Sequence, residues 1–302
     1  MNNSMQRVEL VKDSLSFSRM IQGYWRLNDW EMSAQQLVSF IEQGLELGIT
    51  TTDHADVYGA FTEERRFGQA LKLAPHLRDK IEIISKCGIL FPCEEQPRVI
   101  EKHYDTRRDY IIRAAERSLH ELGIERLDVL LIHRPDPLMD ADEVAEAFRC
   151  LKQAGKVRHF GVSNFSTSQF ALLQSRVDEP LVTNQLEISV VHPDYLFDGT
   201  LDYLQQHRIR PMAWSCLGGG EVFHDYQYKD LRVRAAEIGE QMGASLDQVL
   251  LAFVLALPCQ AMPLLGSGNL DRIRTQVGAL DLKFDRQQWF SLLEVARGQA
   301  VP

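Results

Sequence analysis

Little in the chain ties it to an oxidising compartment, a membrane or a nucleic acid. Its five cysteines, Cys87, Cys93, Cys150, Cys216 and Cys259, are odd in number and none stand in a CxxC spacing. That pattern argues against a disulfide framework or a zinc site and for a reducing cytoplasm. The longest apolar run, Val249 to Leu257, falls well short of the ~20 residues a spanning helix needs. Met1 to Leu10 lacks the apolar core of a signal peptide, so no membrane partner is expected. Positive charge is scarce: 33 Lys and Arg against 42 Asp and Glu leave a net charge of −9. The basic residues are scattered and lack the clustered face that holds nucleic acid. No GxGxxG follows the first strand, which weighs against a doubly wound dinucleotide fold. There is no linker, repeat or low-complexity segment either, so residues 1–302 are read as one domain, and as a monomer because no segment suggests an interface.

What the chain does have is an alternation of short apolar strands and capped helices. Val8 to Leu10 and Leu15 to Phe17 are expected to pair as a hairpin, followed by a first core strand over Met20 to Trp25. Ser33 to Gln36 has the form of a capping box before a helix that Gly48 ends. Further strands are expected at Ile49 to Thr52, Ile81 to Lys86, Leu127 to Ile132, Val157 to Val162, Leu181 to Asn184, Ile209 to Ala213 and Ala261 to Leu265. Helices are expected from Phe67 to Leu73, from near Thr106, from Asp140 to Gly155, after Ser166, and over Leu231 to Met242, Leu246 to Leu257, Leu270 to about Leu280 and Arg286 to Arg297. Eight such beats are the size of a (β/α)8 barrel. The fold predicted is therefore an α/β (β/α)8 TIM barrel with a short N-terminal hairpin and extra C-terminal helices. Gly88 to Asp105 reads as a long loop, of the kind that often carries function.

A barrel brings the carboxyl ends of its strands to one face. Here those ends supply Trp25, Asp53, Lys86, His133, Ser163, Asn164, Gln185, Trp214, Gly266 and Ser267. Singly, each has a plain structural explanation: a turn cap, a snorkelling lysine, a satisfied core histidine. Together, a carboxylate, a lysine, a histidine and the nearby Tyr58 can tune one another. Asp53 is placed to balance a buried Lys86, whose ammonium is expected to lower the pKa of Tyr58 and make it a better proton donor. A neutral His133 can hold a carbonyl oxygen beside the phenol. Asp53 and His54 are neighbours on a strand and point to opposite faces, so they are not expected to share a metal ion. Glu63 to Arg66 reads as a solvated helix face.

These residues resemble the aldo-keto reductases. The stretch with Gly48, Asp53, Ala55 and Tyr58-Gly59 is similar to the family signature; Ser85 to Gly88 and Leu131 to Arg134 match its lysine and histidine segments, and Lys156 to Phe165 is the closest match. The segments run in family order over nearly the whole chain. The resemblance implies a catalytic tetrad of Asp53, Tyr58, Lys86 and His133, with Tyr58 as proton donor in carbonyl reduction and NADP(H) supplying the hydride. It also implies that Ser163, Asn164 and Gln185 hold the carboxamide of the nicotinamide and that Trp214 stacks on its ring. Ser215, Cys216, Leu217 and Gly218 would then meet the pyrophosphate, and Gly266, Ser267, Arg272 and Gln276 the adenosine and its phosphate. Gly23, Tyr24 and Trp25 complete the cofactor set, while Trp25, Tyr58 and His133 line the substrate pocket. The chain departs from the family where Trp214 replaces a common tyrosine, His54 a frequent threonine, and Gly266 a common lysine; Arg272 is left to bind the 2′-phosphate. Two other function classes remain in view: a cofactor-binding regulatory subunit, as in the β subunits of potassium channels, and an aldolase using Lys86, which the charge of Asp53 disfavours.

Overall fold

The computed structural model describes residues 5–301; the first four residues of the polar N-terminal opening, and residue 302, lie outside the described residues. Contacts within the chain cluster into two compact units, Met1–Asn184 and Gln185–Pro302.

In the first unit β1 (Arg7–Val11) and β2 (Leu15–Ser18) form the expected antiparallel hairpin. Then come β3 (Ile21–Gly23), α1 (Ala34–Glu46), β4 (Thr51–Asp53), α2 (Glu63–Leu73) and β5 (Glu82–Cys87). The segment read as a long loop folds partly on itself: β6 (Ile89–Leu90) pairs antiparallel with β7 (His103–Tyr104), and Phe91 packs against Phe61 with ring centroids 5.7 Å apart. This is followed by α3 (Arg108–Leu122), β8 (Leu127–Ile132), α4 (Ala141–Gln153), β9 (Val157–Ser163) and α5 (Thr167–Gln174). Capping boxes open α1 at Ser33 with Gln36 and α5 at Ser166 with Gln169, as their side chains satisfy free helix-end amides. β8 is buried along its whole length, which is why it reads as an unbroken apolar run apart from Asp128.

The second unit holds β10 (Asn184–Glu187, whose first residue closes the first unit), α6 (Thr200–Gln206), β11 (Met212–Trp214), α7 (Lys229–Met242), α8 (Leu246–Leu255), β12 (Met262–Leu265), α9 (Leu270–Val277) and α10 (Arg286–Arg297). Two expectations are corrected here. The sixth core strand lies three residues later than Leu181 to Asn184, so Gln185 sits within it rather than after it. The seven-residue α6 went unread because Thr200 to Gln206 is too short to show a helical period.

Among the described residues the eight parallel strands close a barrel in the order β10-β11-β12-β3-β4-β5-β8-β9. Within the first unit the hairpin closes the amino-terminal end of the strands. Arg7 bonds Glu82 at 2.6 Å and also reaches Thr50, the Ser18 amide donates to Thr51, and Ser14 meets His159 at 3.0 Å. Those partners stand at or close to the starts of β4, β5 and β9. The opposite end, where Asp53, Lys86 and Ser163 emerge, is left for chemistry.

Candidate active site

β4 and β5 run side by side, with Asp53 paired to Ile84. Beyond β4 the chain stays on the neighbouring strand for three more residues, as the His54 amide donates to the Ile84 carbonyl and the Asp56 amide to that of Lys86 at 3.0 Å. A tight turn then lifts Tyr58 back over the strand end. Gly59 takes φ +55°, and a side chain there would run into Asn28 and Glu63, so this turn accepts only glycine.

The outcome is a closed knot around one ammonium. Lys86 is 0% exposed, and its Nζ donates to Asp53 Oδ2 at 2.7 Å, the His54 carbonyl at 2.9 Å and Tyr58 Oη at 2.9 Å. An ammonium has three N–H bonds, so each is used. Burial alone would lower the pKa of Lys86, yet the opposing charge of Asp53 and the phenol outweigh it and hold the pKa above its usual value. A lysine charged and saturated in this way is unsuited to form a Schiff base.

Tyr58 corrects one expectation. Its pKa is raised, because burial outweighs the ammonium that pulls it down, with Asp53 adding to the rise. The phenol therefore keeps its proton, and Lys86 acts as an oriented partner that eases its release in the reaction. His133 follows β8, its amide donating to the Cys87 carbonyl at 2.8 Å, and its ring stands edge-on to Tyr58 at 5.7 Å between centroids. Burial first, then Lys86 and Arg134, push its pKa well below normal, so the imidazole is neutral, as its assigned task requires. Its Nδ1 is buried with no hydrogen-bond partner. The four tetrad candidates are thus brought together.

Next to them, Asn164 adopts φ +61°, a left-handed turn that asparagine tolerates. Its Nδ2 donates to Ser163 Oγ at 2.8 Å and lies 3.4 Å from the His133 carbonyl. At the end of β3, Gly23 is buried; the ring of Tyr24 is packed face to face on His54 at 4.9 Å, whereas Trp25 is 58% exposed beneath Arg26.

The remaining candidates belong to the second unit. Gln185 and Trp214 lie on adjacent strands, Gln185 buried and Trp214 half-buried. After Trp214, Ser215 and then Gly218, Gly219 and Gly220 all take positive φ, and the Gly218 amide returns to the Ser215 carbonyl at 2.8 Å. The Gly220 amide likewise returns to the Leu217 carbonyl at 3.0 Å, and a turn with so few side chains lets a phosphate approach its backbone closely. Cys216 is buried, its thiol pushed up to about 12 by burial and donating to the Ala213 carbonyl. Beyond β12 a side chain at Gly266 would meet nothing within 4 Å. Ser267 Oγ accepts the Asn269 amide at 3.1 Å, and Asn269 in turn caps α9 at Arg272. Gln276 is buried, and its Oε1 has no hydrogen-bond partner, an acceptor whose chemistry would suit an adenine amino group.

The expectation that Glu63 to Arg66 forms a solvated face is also corrected: Glu63 and Glu64 are 2% and 4% exposed. Burial raises their pKa values to about 8 and about 7. Asp56 joins them, raised to about 8 by burial against the pull of Arg117, to which it is bonded at 3.0 Å. A single charge run cannot reveal this, because the two glutamates face inward only once α2 packs on α3 and on the segment after β3.

A model of the aldo/keto reductase family matches residues 19–297. The chain belongs to that family. This aldo/keto reductase is 57% identical to oxidoreductase YdhF of Escherichia coli strain K12, over 99% of this chain and 100% of that one. It is 45% identical to a 6-dehydroglucose reductase of Agrobacterium fabrum, over 98% and 100%. Among solved structures it resembles the thermostable aldo-keto reductase Tm1743, crystallised with the inhibitor epalrestat, at a TM-score of 0.81 and 24% identity, covering 96% of this chain and 100% of that one. That last likeness is one of fold.

Proposed function

We propose that this aldo/keto reductase reduces aldehydes or ketones with NADPH, Tyr58 giving the proton to the carbonyl oxygen and taking it back in alcohol oxidation. The observation that carries the reading is the buried Lys86 ammonium, bonded at once to Asp53 and to the phenol of Tyr58. A proton donor must hold its proton at rest and release it as negative charge grows on oxygen. Burial does the first, and the ammonium 2.9 Å away does the second. Asp53 keeps that ammonium charged. The neutral His133 donates a hydrogen bond to the same oxygen and so fixes the carbonyl beside the phenol.

The cofactor supplies the hydride when bound. Ser163, Asn164 and Gln185 have the donors and acceptors to hold its carboxamide, and Trp214 offers a flat face to its ring. The turn from Ser215 to Gly218 suits its pyrophosphate, while Gly266, Ser267, Arg272 and Gln276 take the adenosine and its 2′-phosphate. The relatives named 6-dehydroglucose reductase favour a small polar aldehyde as substrate. On this reading the chain works as a monomer in the cytoplasm, as one barrel domain; no helix among the described residues is long and apolar enough to cross a membrane.

Oxidation of NADPH by the purified protein, followed against a panel of sugar aldehydes, simple aldehydes and ketones, tests the proposal. Turnover with at least one is expected, and NADH is expected to be the poorer donor. Binding of NADPH with no turnover of any carbonyl would overturn the reductase reading and favour a regulatory subunit.

A further inference from the structure

The segment after β3 and the turn that carries Tyr58 are far apart in sequence but fastened together at one residue, Asn28. Its backbone amide donates to Glu63 Oε1 at 3.3 Å, and its side-chain Nδ2 donates to Thr62 Oγ1 at 2.9 Å. The hydroxyl of Thr62 donates onward to the Gly59 carbonyl at 2.7 Å, one residue from Tyr58. Arg66 adds bonds to the Met32 carbonyl at 2.6 Å and to the Asn28 carbonyl at 3.4 Å. Because a side chain at Gly59 would strike Asn28 and come within 2.6 Å of Glu63, the two segments are in van der Waals contact as well.

On one side of this clasp stands the phenol. On the other, Tyr24 is buried and Trp30 packs on Tyr24 and Phe40, which leaves Trp25 as the aromatic of the segment that projects, 58% exposed. A short hydrogen-bonded chain through Asn28, Thr62 and Gly59 therefore fastens the segment that follows the exposed indole to the turn that carries the proton donor. The Tyr24 amide also donates to the Asp53 carbonyl at 3.0 Å, so the clasp is a second tie between this segment and the tetrad, and the one that reaches the Tyr58 turn.

We propose that Asn28 and Thr62 are positioning residues that lock the Trp25 segment to the Tyr58 turn, so that the wall against which a carbonyl substrate rests and the group that protonates it hold one spacing. The inference rests on the reductase reading for its substrate. It does not rest on it for the clasp, which hydrogen exchange measures without turnover.

The test compares Thr62→Val, which keeps the shape and removes the hydroxyl, with Asn28→Ala and with Thr62→Ser, which restores the hydroxyl. In Thr62→Val the amides of residues 27–30 are expected to exchange faster, although that substitution lies on the other segment. KM for an aldehyde such as glyceraldehyde is expected to rise about tenfold, kcat to change less, and NADPH affinity by fluorescence to stay put; one lost hydrogen bond corresponds to about that factor. Asn28→Ala should behave likewise, and Thr62→Ser should return both readouts towards wild type. Unchanged exchange over 27–30 in Thr62→Val overturns the clasp. Faster exchange with an unchanged KM, in a protein that turns over aldehyde, overturns the positioning role and leaves a purely structural one. If the unmodified protein reduces no carbonyl, the reductase reading is lost and the substrate role with it, while the exchange result still decides the coupling.

Discussion

The region ending at Asn184 and the region beginning at Gln185 hold candidate residues of two different kinds. In the first, reacting groups are buried side chains bound to each other: Lys86 satisfied by three oxygens, Asp53 beside it, and neutral His133 edge-on to Tyr58. In the second, the candidate ligand contacts are mostly backbone shape, a run of positive φ from Ser215 to Gly220 broken by Cys216 and Leu217, with Gln276 Oε1 left without a partner. A pre-paired charge cluster is complete before anything binds. A glycine-rich turn offers instead a bare backbone that a ligand can approach closely. The tetrad should therefore answer to mutation through catalysis and stability, and the turn after Trp214 with the residues after β12 through cofactor affinity.

The sharpest way to break this contrast is Tyr58→Phe. Loss of a general acid is expected to lower kcat by about 10²–10⁴-fold with NADPH affinity unchanged; rapid-mixing turnover and fluorescence titration check the two halves. Should NADPH binding fall as far as kcat, the two regions would not be separable.

Lys86→Met probes the same knot through stability. It removes the ammonium that balances the buried Asp53 carboxylate, and breaking a buried ion pair on one side costs about 3–5 kcal/mol. Denaturant unfolding at neutral pH is expected to show that loss, and a second change, Asp53→Asn, is expected to recover part of it.

Glu64 offers a pH test of the first region. Burial lifts its pKa from 4.5 to about 7, with Ser85 bonded at 2.5 Å, Arg117 pulling down and Glu121 pushing up. Between those two values the folded state holds more protons than the unfolded one, so its contribution to stability falls as pH rises across that window and is level above it. Glu64→Gln, which mimics the protonated acid, is expected to match wild type near pH 5 and to exceed it above pH 7 by about 2–3 kcal/mol, read from melting curves. Equal stability of the two proteins at high pH would show that Glu64 is not so perturbed.

The smallest effect should come from the second region. Arg272→Ala is expected to weaken NADPH by about tenfold, NADH hardly at all, and melting not at all, since an exposed guanidinium contributes little to folding. Equal losses for both cofactors would remove Arg272 from the 2′-phosphate.

Much of the fold is legible in the sequence. The capping boxes at Ser33 and Ser166 begin helices one residue later, since capping is local chemistry written in adjacent residues. The apolar run Leu127 to Ile132 matches β8 end to end because a strand buried on both faces is apolar at nearly every position, Asp128 excepted. The short α6 and the register of β10 were not legible, as each carries only about two periods, too few to stand out from its surroundings. Residues of the site divide the same way. Asp53, Lys86, Tyr58 and His133 announce themselves as ionisable groups at strand ends, whereas Asn28 and Thr62 are ordinary polar residues until the fold brings them together.

By itself, then, the sequence determined the alternation of strands and helices, the closed barrel that alternation implies, and the identity of the groups gathered at the strand ends, because these depend on patterns a few residues long. Only the tertiary structure decided their state. Whether Tyr58 is raised or lowered, whether Glu63 and Glu64 are solvated or buried, and what holds the Trp25 segment to the Tyr58 turn all depend on desolvation and on partners tens of residues away. A side chain's charge is set by what surrounds it in space, and that is absent from its neighbours in the chain.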